Sequence, residues 1–330
     1  MSARPLWILL MAALIALPFL LPNYFLHIAI QVLLWGFIYT AWSMMGRFGL
    51  VSLGHGAFMG IGAYTSALLW NLYGITPWLG IPAGAGLAVL LALVIGYPCF
   101  HLRIVGHYFA LVTLALSQVV ALFIIAERDV TGGSLGMTPH AVGGTSLYAL
   151  QFPDRTAFYF IALGLWALVL VIRWWANLGM RSAALEAIGE DEMAAAAAGI
   201  NVMREKLRVT VISAAITAVG GSVFVQYLMY VNPETVSGVG ISLQIVFASI
   251  AGGMYGALGP TVGALLTLSL TEGLRIAFGT SFIGAANTIY GILLILFIIF
   301  MPRGLLGVIQ GALARRTAPK PPPAPARPVI

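Results

Sequence analysis

The residue types that carry most enzyme chemistry are scarce in this sequence of 330 residues. It contains ten Asp and Glu, five His and a single cysteine, Cys99. No Gly-x-x-x-x-Gly-Lys-Ser/Thr loop, the motif that cradles the phosphates of ATP, occurs in it. No His and Cys residues have the spacing of a metal site, and no Ser, His and Asp set suggests a catalytic triad. We therefore expect no enzyme activity, no bound cofactor and no metal centre in this chain.

The acidic residues are concentrated in one segment, residues 177–208, which holds five of the ten. In its middle, Glu190–Glu192 precede a run of alanines that ends at Gly199. Acidic residues favour the N-terminal end of a helix, alanine is the best helix former, and glycine suits the position after a helix. The pattern predicts a short helix at about 190–198, with an earlier helix at 181–188.

This charged segment has two interpretations. It is either a plain solvated loop or a docking element for a partner protein. A helix whose surface consists of small alanine side chains fits a groove on another protein, which is a common mode of recognition.

Two glycine-rich stretches, Gly49–Tyr64 and Ala251–Gly263, lie in opposite halves of the chain. Small residues four apart allow helices to approach closely, and glycine also occurs where a helix breaks to expose its backbone to a ligand. Helix packing and a translocation path therefore both stay open, and a lone His in this setting is no metal site. The candidate residues are Ser52, Gly54, His55, Gly56, Gly60, Gly252, Gly253 and Gly256.

Polar residues within the apolar runs are few. Glu272 and Arg275 are three residues apart, so on one helix they can pair and offset their burial. No series of carboxylates crosses the apolar runs, as a proton-driven carrier would need, and this counts against a secondary transporter. The other polar residues in these runs are Gln118, Gln226, Gln244 and Asn287.

The composition identifies the elements that must position these residues. Hydrophobic residues make up 61% of the chain and charged residues 8%, whereas a soluble domain carries about 25% charge. Since a membrane helix needs about 20 apolar residues, we predict an all-α, polytopic transmembrane helix bundle of about ten spans. Eight or nine spans are also possible, because the run at 241–255 is short. The runs are 6–22, 25–45, 50–72, 77–99, 104–126, 157–176, 207–231, 241–255, 260–278 and 283–301.

Basic residues set the expected orientation. They follow most even-numbered runs, which by the positive-inside rule makes both termini cytoplasmic. The net charge of +6 is thus explained by basic residues at helix ends and in the tail, so membrane lipid is an expected partner and nucleic acid is not. We predict a permease domain at 1–314, with 177–208 as its cytoplasmic segment, and a Pro-rich flexible cytoplasmic tail at 315–330.

The chain resembles the membrane permease subunits of branched-chain amino acid ABC importers, of the LivM type. Its charged segment is similar to their coupling loop, whose signature is Glu-Ala-Ala, three residues and Gly. Here Met193-Ala194-Ala195 precedes Gly199 at that spacing, and Met193 stands where Glu is usual. Gly189 is a second departure, since the family often has Arg there. The matching segments are Gly49–Tyr64, Gly106–Ala115, Thr131–Gly136, Ala184–Lys206, Ser213–Pro233, Gly252–Gly263 and Pro302–Leu305.

The resemblance implies a bacterial inner-membrane importer for branched-chain or other hydrophobic amino acids. Its implied partners are a second permease subunit of the LivH type, two cytoplasmic ABC ATPase subunits and a periplasmic substrate-binding protein that meets the Thr131–Gly136 loop. The alternatives are an ABC permease for urea, amides or a sugar, and a stand-alone secondary transporter or channel. The residues implied in ATPase coupling are Arg181, Glu186, Glu190, Asp191, Glu192, Ala194, Ala195, Gly199 and Lys206.

Overall fold

The computed structural model describes residues 4–178, 180–278, 283–300 and 304–308. Within these ranges the chain is α-helical, with two isolated β-bridges and no strand. One short 3-10 turn, Gly133–Leu135, follows α6. The helices are α1 (Arg4–Leu20), α2 (Asn23–Gly46), α3 (His55–Tyr73), α4 (Pro77–His101), α5 (His107–Ala126), α6 (Arg128–Thr131), α7 (Arg155–Asn177), α8 (Met180–Glu190), α9 (Glu192–Ala197), α10 (Val202–Leu228), α11 (Pro233–Val236), α12 (Gly238–Gly252), α13 (Gly259–Phe278) and α14 (Ile283–Phe300).

Each of the ten apolar runs overlaps one of the longer helices, so the all-α prediction is confirmed for the described residues. Six helical stretches in the described residues are long and apolar enough to cross a membrane. One of them, Pro233–Gly252, joins α11 and α12, so the short run at 241–255 belongs to a longer helical segment. The six are α2, α4, α5, α7, α10 and the α11–α12 pair.

The centre of the bundle is α2, which is buried on all sides from Leu33 to Gly46. It packs against α7, α10, α12 and α13. A helix that is apolar all round is typical of such a central position. In contrast, α4 exposes Leu87, Leu90 and Val94, as suits a helix whose outer face meets lipid.

Close backbone contact joins α3 to its neighbour α10. A Cβ atom added to Gly62 would lie 2.0 Å from the carbonyl oxygen of Ala218, and one added to Gly221 would lie 2.2 Å from that of Met59. Small residues therefore bring these two helices together, as in many membrane bundles.

The two ends of the bundle differ. We call the end that carries α8 and α9 the charged end, and the opposite end, which carries residues 127–154, the loop end. At the loop end this long connection is fixed by hydrogen bonds: the indole of Trp70 donates to the carbonyl of His140 (2.9 Å), and that of Trp78 donates to the carbonyl of Leu147 (2.7 Å). Met137 also pairs with Val231 in a short antiparallel bridge.

Candidate functional site

Both helices predicted for the charged segment are present, as α8 and α9. Asp191 separates them and caps α9, because its carboxylate accepts hydrogen bonds from the backbone N–H groups of Met193 (2.8 Å) and Ala194 (3.1 Å). Local sequence therefore specifies where α9 begins.

The end of α9 is equally well specified. Gly199 has φ +86°, and the N–H groups of Gly199 and Ile200 donate back to the carbonyls of Ala196 (3.0 Å) and Ala195 (3.1 Å). This is a Schellman motif, in which the residue after the helix takes the left-handed conformation. No atom lies within 4 Å of a Cβ added at Gly199, so the position needs glycine for its backbone conformation.

An ion pair attaches α9 to α10. The ammonium of Lys206, on α10, contacts the carboxylate of Glu192, at the start of α9. Lys206 is buried, with 3% of its surface exposed, and its Nζ lies 5.8 Å from the centre of the Phe100 ring. Because a buried ammonium is costly without a partner, this pair fixes the position of α9 against the membrane helices.

The two faces of α9 differ in exposure. Ala195 is buried (3% exposed) and packs in the core, whereas Met193 is 77% exposed and Ala194 is exposed beside it. Of the predicted coupling residues, Glu192, Ala195 and Lys206 thus hold the segment to the bundle. The exposed ones are Glu186, Glu190, Asp191, Ala194 and Gly199. The side chain of Arg181 lies outside the described residues, and a coupling role for any of the set stays a prediction.

The junction between α2 and α8 places the first helix of the pair. Arg47 donates to the side-chain carbonyl of Asn177, and its guanidinium lies 4.4 Å from the centre of the Phe48 ring. Burial lowers the pKa of Arg47 from its ordinary value, and the nearby carboxylate of Glu186 opposes that shift. A Cβ added at Gly189 would lie 3.1 Å from the carbonyl oxygen of Phe48. Any side chain at this position would therefore make a tight contact with the backbone of Phe48.

The first set of predicted path or packing residues lies at closed helix contacts. A Cβ added to Gly54, Gly56 or Gly60 would come within 2.8 Å of Thr113, Gly238 or Ser237, respectively. The N–H of Gly56 donates to the hydroxyl of Ser242 (3.0 Å). Ser52 is buried, and its hydroxyl accepts a hydrogen bond from the N–H of Gly54 (3.2 Å). These contacts bring α3 against α5 and α12.

His55 is fully buried in a hydrogen-bonded chain. Its Nε2 lies 2.8 Å from the hydroxyl oxygen of Ser213, which donates its own proton to the carbonyl of Ala41 (2.7 Å). Since that proton is engaged, the Ser213 oxygen accepts and His55 Nε2 donates. The described residues contain no group of three His, Cys, Asp or Glu that could hold a metal ion.

The second predicted set forms the tight turn between α12 and α13. A Cβ added to Gly252 would lie 2.1 Å from the carbonyl oxygen of Gly259, and one added to Gly256 would lie 2.6 Å from Leu306. Gly253 ends α12 with φ +111°. A path role for either glycine set stays a prediction.

Sequence reasoning missed Arg173, which lies beside that turn. It is 2% exposed and donates hydrogen bonds to the hydroxyl of Ser43 and to the carbonyls of Met254 (2.8 Å) and Tyr255 (3.1 Å). The sequence showed only a basic residue near the end of the sixth apolar run, where a flanking charge is ordinary. A charge four residues before the end of α7 was the one available signal.

The apolar bundle and its charged helix pair define a polytopic α-helical membrane protein with a compact segment outside the spans. The sequence model of the family described as branched-chain amino acid transport system / permease component matches residues 24–301, and the chain belongs to that family. The family resemblance seen in the sequence is thereby confirmed.

Two kinds of relative are similar to this chain. One is the high-affinity branched-chain amino acid transport system permease protein LivM of Escherichia coli (strain K12), 29% identical over 296 residues, which cover 82% of this chain and 67% of the relative. The other is the corresponding permease protein LivH of Salmonella typhimurium (strain LT2), 28% identical over 278 residues, which cover 79% of this chain and 87% of the relative. No solved structure matches the chain.

Proposed function

We propose that this chain is the membrane-spanning subunit of an ATP-driven importer for branched-chain or other hydrophobic amino acids in the bacterial inner membrane. The observation that carries the proposal is the exposed α8–α9 pair in a chain of this permease family, attached to α10 by the ion pair between Glu192 and Lys206. A segment that is both exposed and rigidly attached can transmit force from a docked partner.

The proposed partners follow from the family. The similarity to both LivM and LivH supports pairing with a second, LivH-type permease subunit. Because the sequence has no ATP-binding loop, two ABC ATPase subunits supply the energy, and this chain binds no cofactor. A periplasmic substrate-binding protein docks at the loop end.

The proposed topology has ten crossings with both termini in the cytoplasm. Ten helices fall on the ten apolar runs, and the positive-inside rule places the basic residues of the charged end on the cytoplasmic side. The predicted Pro-rich tail at 315–330 lies outside the described residues.

The proposed coupling route runs through α10. When ATP binding draws the ATPase subunits together, α9 moves with them, and the Glu192–Lys206 pair passes that movement to α10. Since α10 packs on α2, α3 and α4, its displacement changes the relative stability of two arrangements of the bundle. Differential binding of the partner to these arrangements then drives transport.

The first test is replacement of Ala194 by Glu, with co-purification of the tagged chain from its native membrane in mild detergent. We expect the parent to retain a P-loop ATPase with ATPase activity, and Ala194→Glu to lose at least about ninety per cent of it, because a charged side chain fills the exposed face of α9. The residue is exposed, so the fold is preserved.

The matched control is Ala141→Glu, which makes the same change at an exposed residue of the loop end. It keeps the ATPase. A parent chain that purifies alone and still moves solute contradicts the importer and favours a carrier or channel. Full ATPase retention by Ala194→Glu refutes the docking role of α9.

A further inference from the structure

A cavity of about 350 Å³ opens on the side of the bundle between α2, α10, α11–α12 and α13. It belongs to the loop-end half, because Gln31 lies in the first turns of α2 and Leu228 ends α10. Its apolar wall includes Trp35, Phe224 and Leu268, and its polar groups come from Gln31, Glu234, Thr235, Gln244 and Thr271. The volume lies in the range of small-molecule sites, roughly 300–1,000 Å³.

The polar groups of the lining disfavour lipid as the occupant. A second cavity, of about 380 Å³ between α1, α2, α7 and α13, has Leu14, Leu17 and Phe25 in its wall and suits an acyl chain. Amide and carboxylate groups exposed to hydrocarbon are expensive, and in membrane proteins they face protein or a water-filled cavity. The first cavity therefore suits a polar ligand or water better than an acyl chain, with a protein surface closing its open side.

We propose that this cavity is the half of the substrate site that this chain contributes, that it binds a zwitterionic amino acid with an aliphatic side chain, and that the second permease subunit closes it. This proposal rests on the proposed function and deepens it.

The charges of the lining fit an ammonium group. Glu234 is the carboxylate among the lining residues, and no Lys or Arg lines the cavity. No cation pairs with Glu234 among the described residues. The backbone that carries this exposed carboxylate is held in place, because Glu234 lies in α11, which starts at Pro233 and begins with a capping box between Asn232 and Thr235. An exposed carboxylate without a cationic partner at the rim of a cavity favours a positively charged ligand group.

The two glutamines complete the polar side. The Nε2 group of Gln31 donates to Nε2 of His27 (3.0 Å). The side-chain carbonyl oxygen of Gln31 can therefore accept a hydrogen bond from the ligand. The Nε2 group of Gln244 donates one proton to the hydroxyl of Tyr39 (3.1 Å) and has a second for a ligand carboxylate. An aliphatic side chain then packs on Trp35 and Leu268.

The test measures ATP-dependent leucine uptake and ATPase activity of the complete importer in proteoliposomes, with loaded binding protein outside. We expect Glu234→Gln and Gln244→Leu each to raise the KM for leucine about tenfold or more, the loss expected for one hydrogen bond to a charged group. ATPase activity stays within about twofold of the parent, because neither residue touches α8 or α9.

A matched control makes the same replacement as Gln244→Leu outside the cavity. Gln118→Leu changes an exposed glutamine on α5. It keeps the parental KM. Leu268→Phe tests specificity, because the larger side chain narrows the cavity at its apolar wall. We expect it to reduce leucine uptake at least fivefold more than alanine uptake, since leucine has the larger side chain.

The outcomes separate the two proposals. Parental KM values in both cavity variants overturn the substrate site, as does an equal loss of leucine and alanine uptake in Leu268→Phe. A parent complex without ATP-dependent uptake overturns the proposed function itself. This result is obtained on the parent alone and does not depend on the cavity variants.

Discussion

A buried cation, Arg173, ties the turn between α12 and α13 to the centre of the bundle. Its guanidinium reaches Ser43 on α2 and the carbonyls of Met254 and Tyr255, just beyond the C-terminal end of α12. The dipole of α12 also favours a positive charge at that position. The planar fork of the guanidinium serves three acceptors at once, which a lysine cannot reproduce.

At the residue scale we therefore predict that Arg173→Lys lowers the stability of the chain by about 2 kcal/mol and Arg173→Gln by about 3 kcal/mol, because the buried hydroxyl of Ser43 and two part-buried carbonyls lose their donor. The measurement is thermal unfolding in detergent, followed through the labelling of Cys99, which is buried in the folded chain. Arg128→Lys, an exposed change at the loop end, serves as the control and leaves the transition unmoved. Equal transitions for all of these variants show that the buried contacts are not stabilising.

Helix contacts in this bundle depend on backbone approach more than on side-chain size. Gly221 of α10 faces the carbonyl of Met59 so closely that an added Cβ would lie 2.2 Å from it, whereas a Cβ at Gly86 of α4 would meet nothing within 4 Å. The same residue type thus has opposite roles on two neighbouring helices.

At the element scale we predict that Gly221→Ala costs about 2 kcal/mol, since α3 and α10 must move apart, and that Gly86→Ala is neutral or stabilising by up to about 1 kcal/mol, because alanine favours the helix. The midpoints of thermal unfolding in detergent test both. A stability loss at Gly86 as large as that at Gly221 contradicts the close-contact explanation.

The helices were predictable from sequence because lipid exposure selects long apolar runs. The ends of the helices were less predictable from sequence, as two helices show. The predicted run at 50–72 includes buried non-helical residues before α3, which starts at His55. The helix α10 starts at Val202, ahead of the apolar run, because its first turns carry charged residues outside the apolar core.

In the candidate site too, some features follow from local sequence and others depend on tertiary packing. Asp191 and Gly199 act on neighbouring backbone groups, so the ends of α9 follow from local sequence. The burial of Ala195, the contact between Lys206 and Glu192, and the cavity near Gln244 each depend on helices far apart in the chain. Without the packed bundle, no local pattern distinguishes an exposed alanine from a buried one.

The whole molecule is arranged so that the charged segment and the long loop lie at opposite ends of the bundle. Residues 127–154 precede α7 and the α8–α9 pair follows it, and α7 is long and apolar enough to cross a membrane. If α7 crosses, Ala141 and Ala194 lie on different sides, and the positive-inside rule places Ala194 in the cytoplasm.

We predict this sidedness for cysteines introduced one at a time into a Cys99→Ala chain. A membrane-impermeant maleimide applied to spheroplasts labels Ala141→Cys and spares Ala194→Cys, and inside-out vesicles give the reverse. Both positions are exposed, so poor reactivity cannot arise from burial in the isolated chain. The ATPase that we propose to cover α9 adds a further expectation: labelling of Ala194→Cys in inside-out vesicles increases when the ATPase subunits are stripped away. Labelling of both cysteines from one side contradicts the crossing of α7. It then also contradicts the proposal that a partner in the cytoplasm drives transport from a substrate site at the loop end.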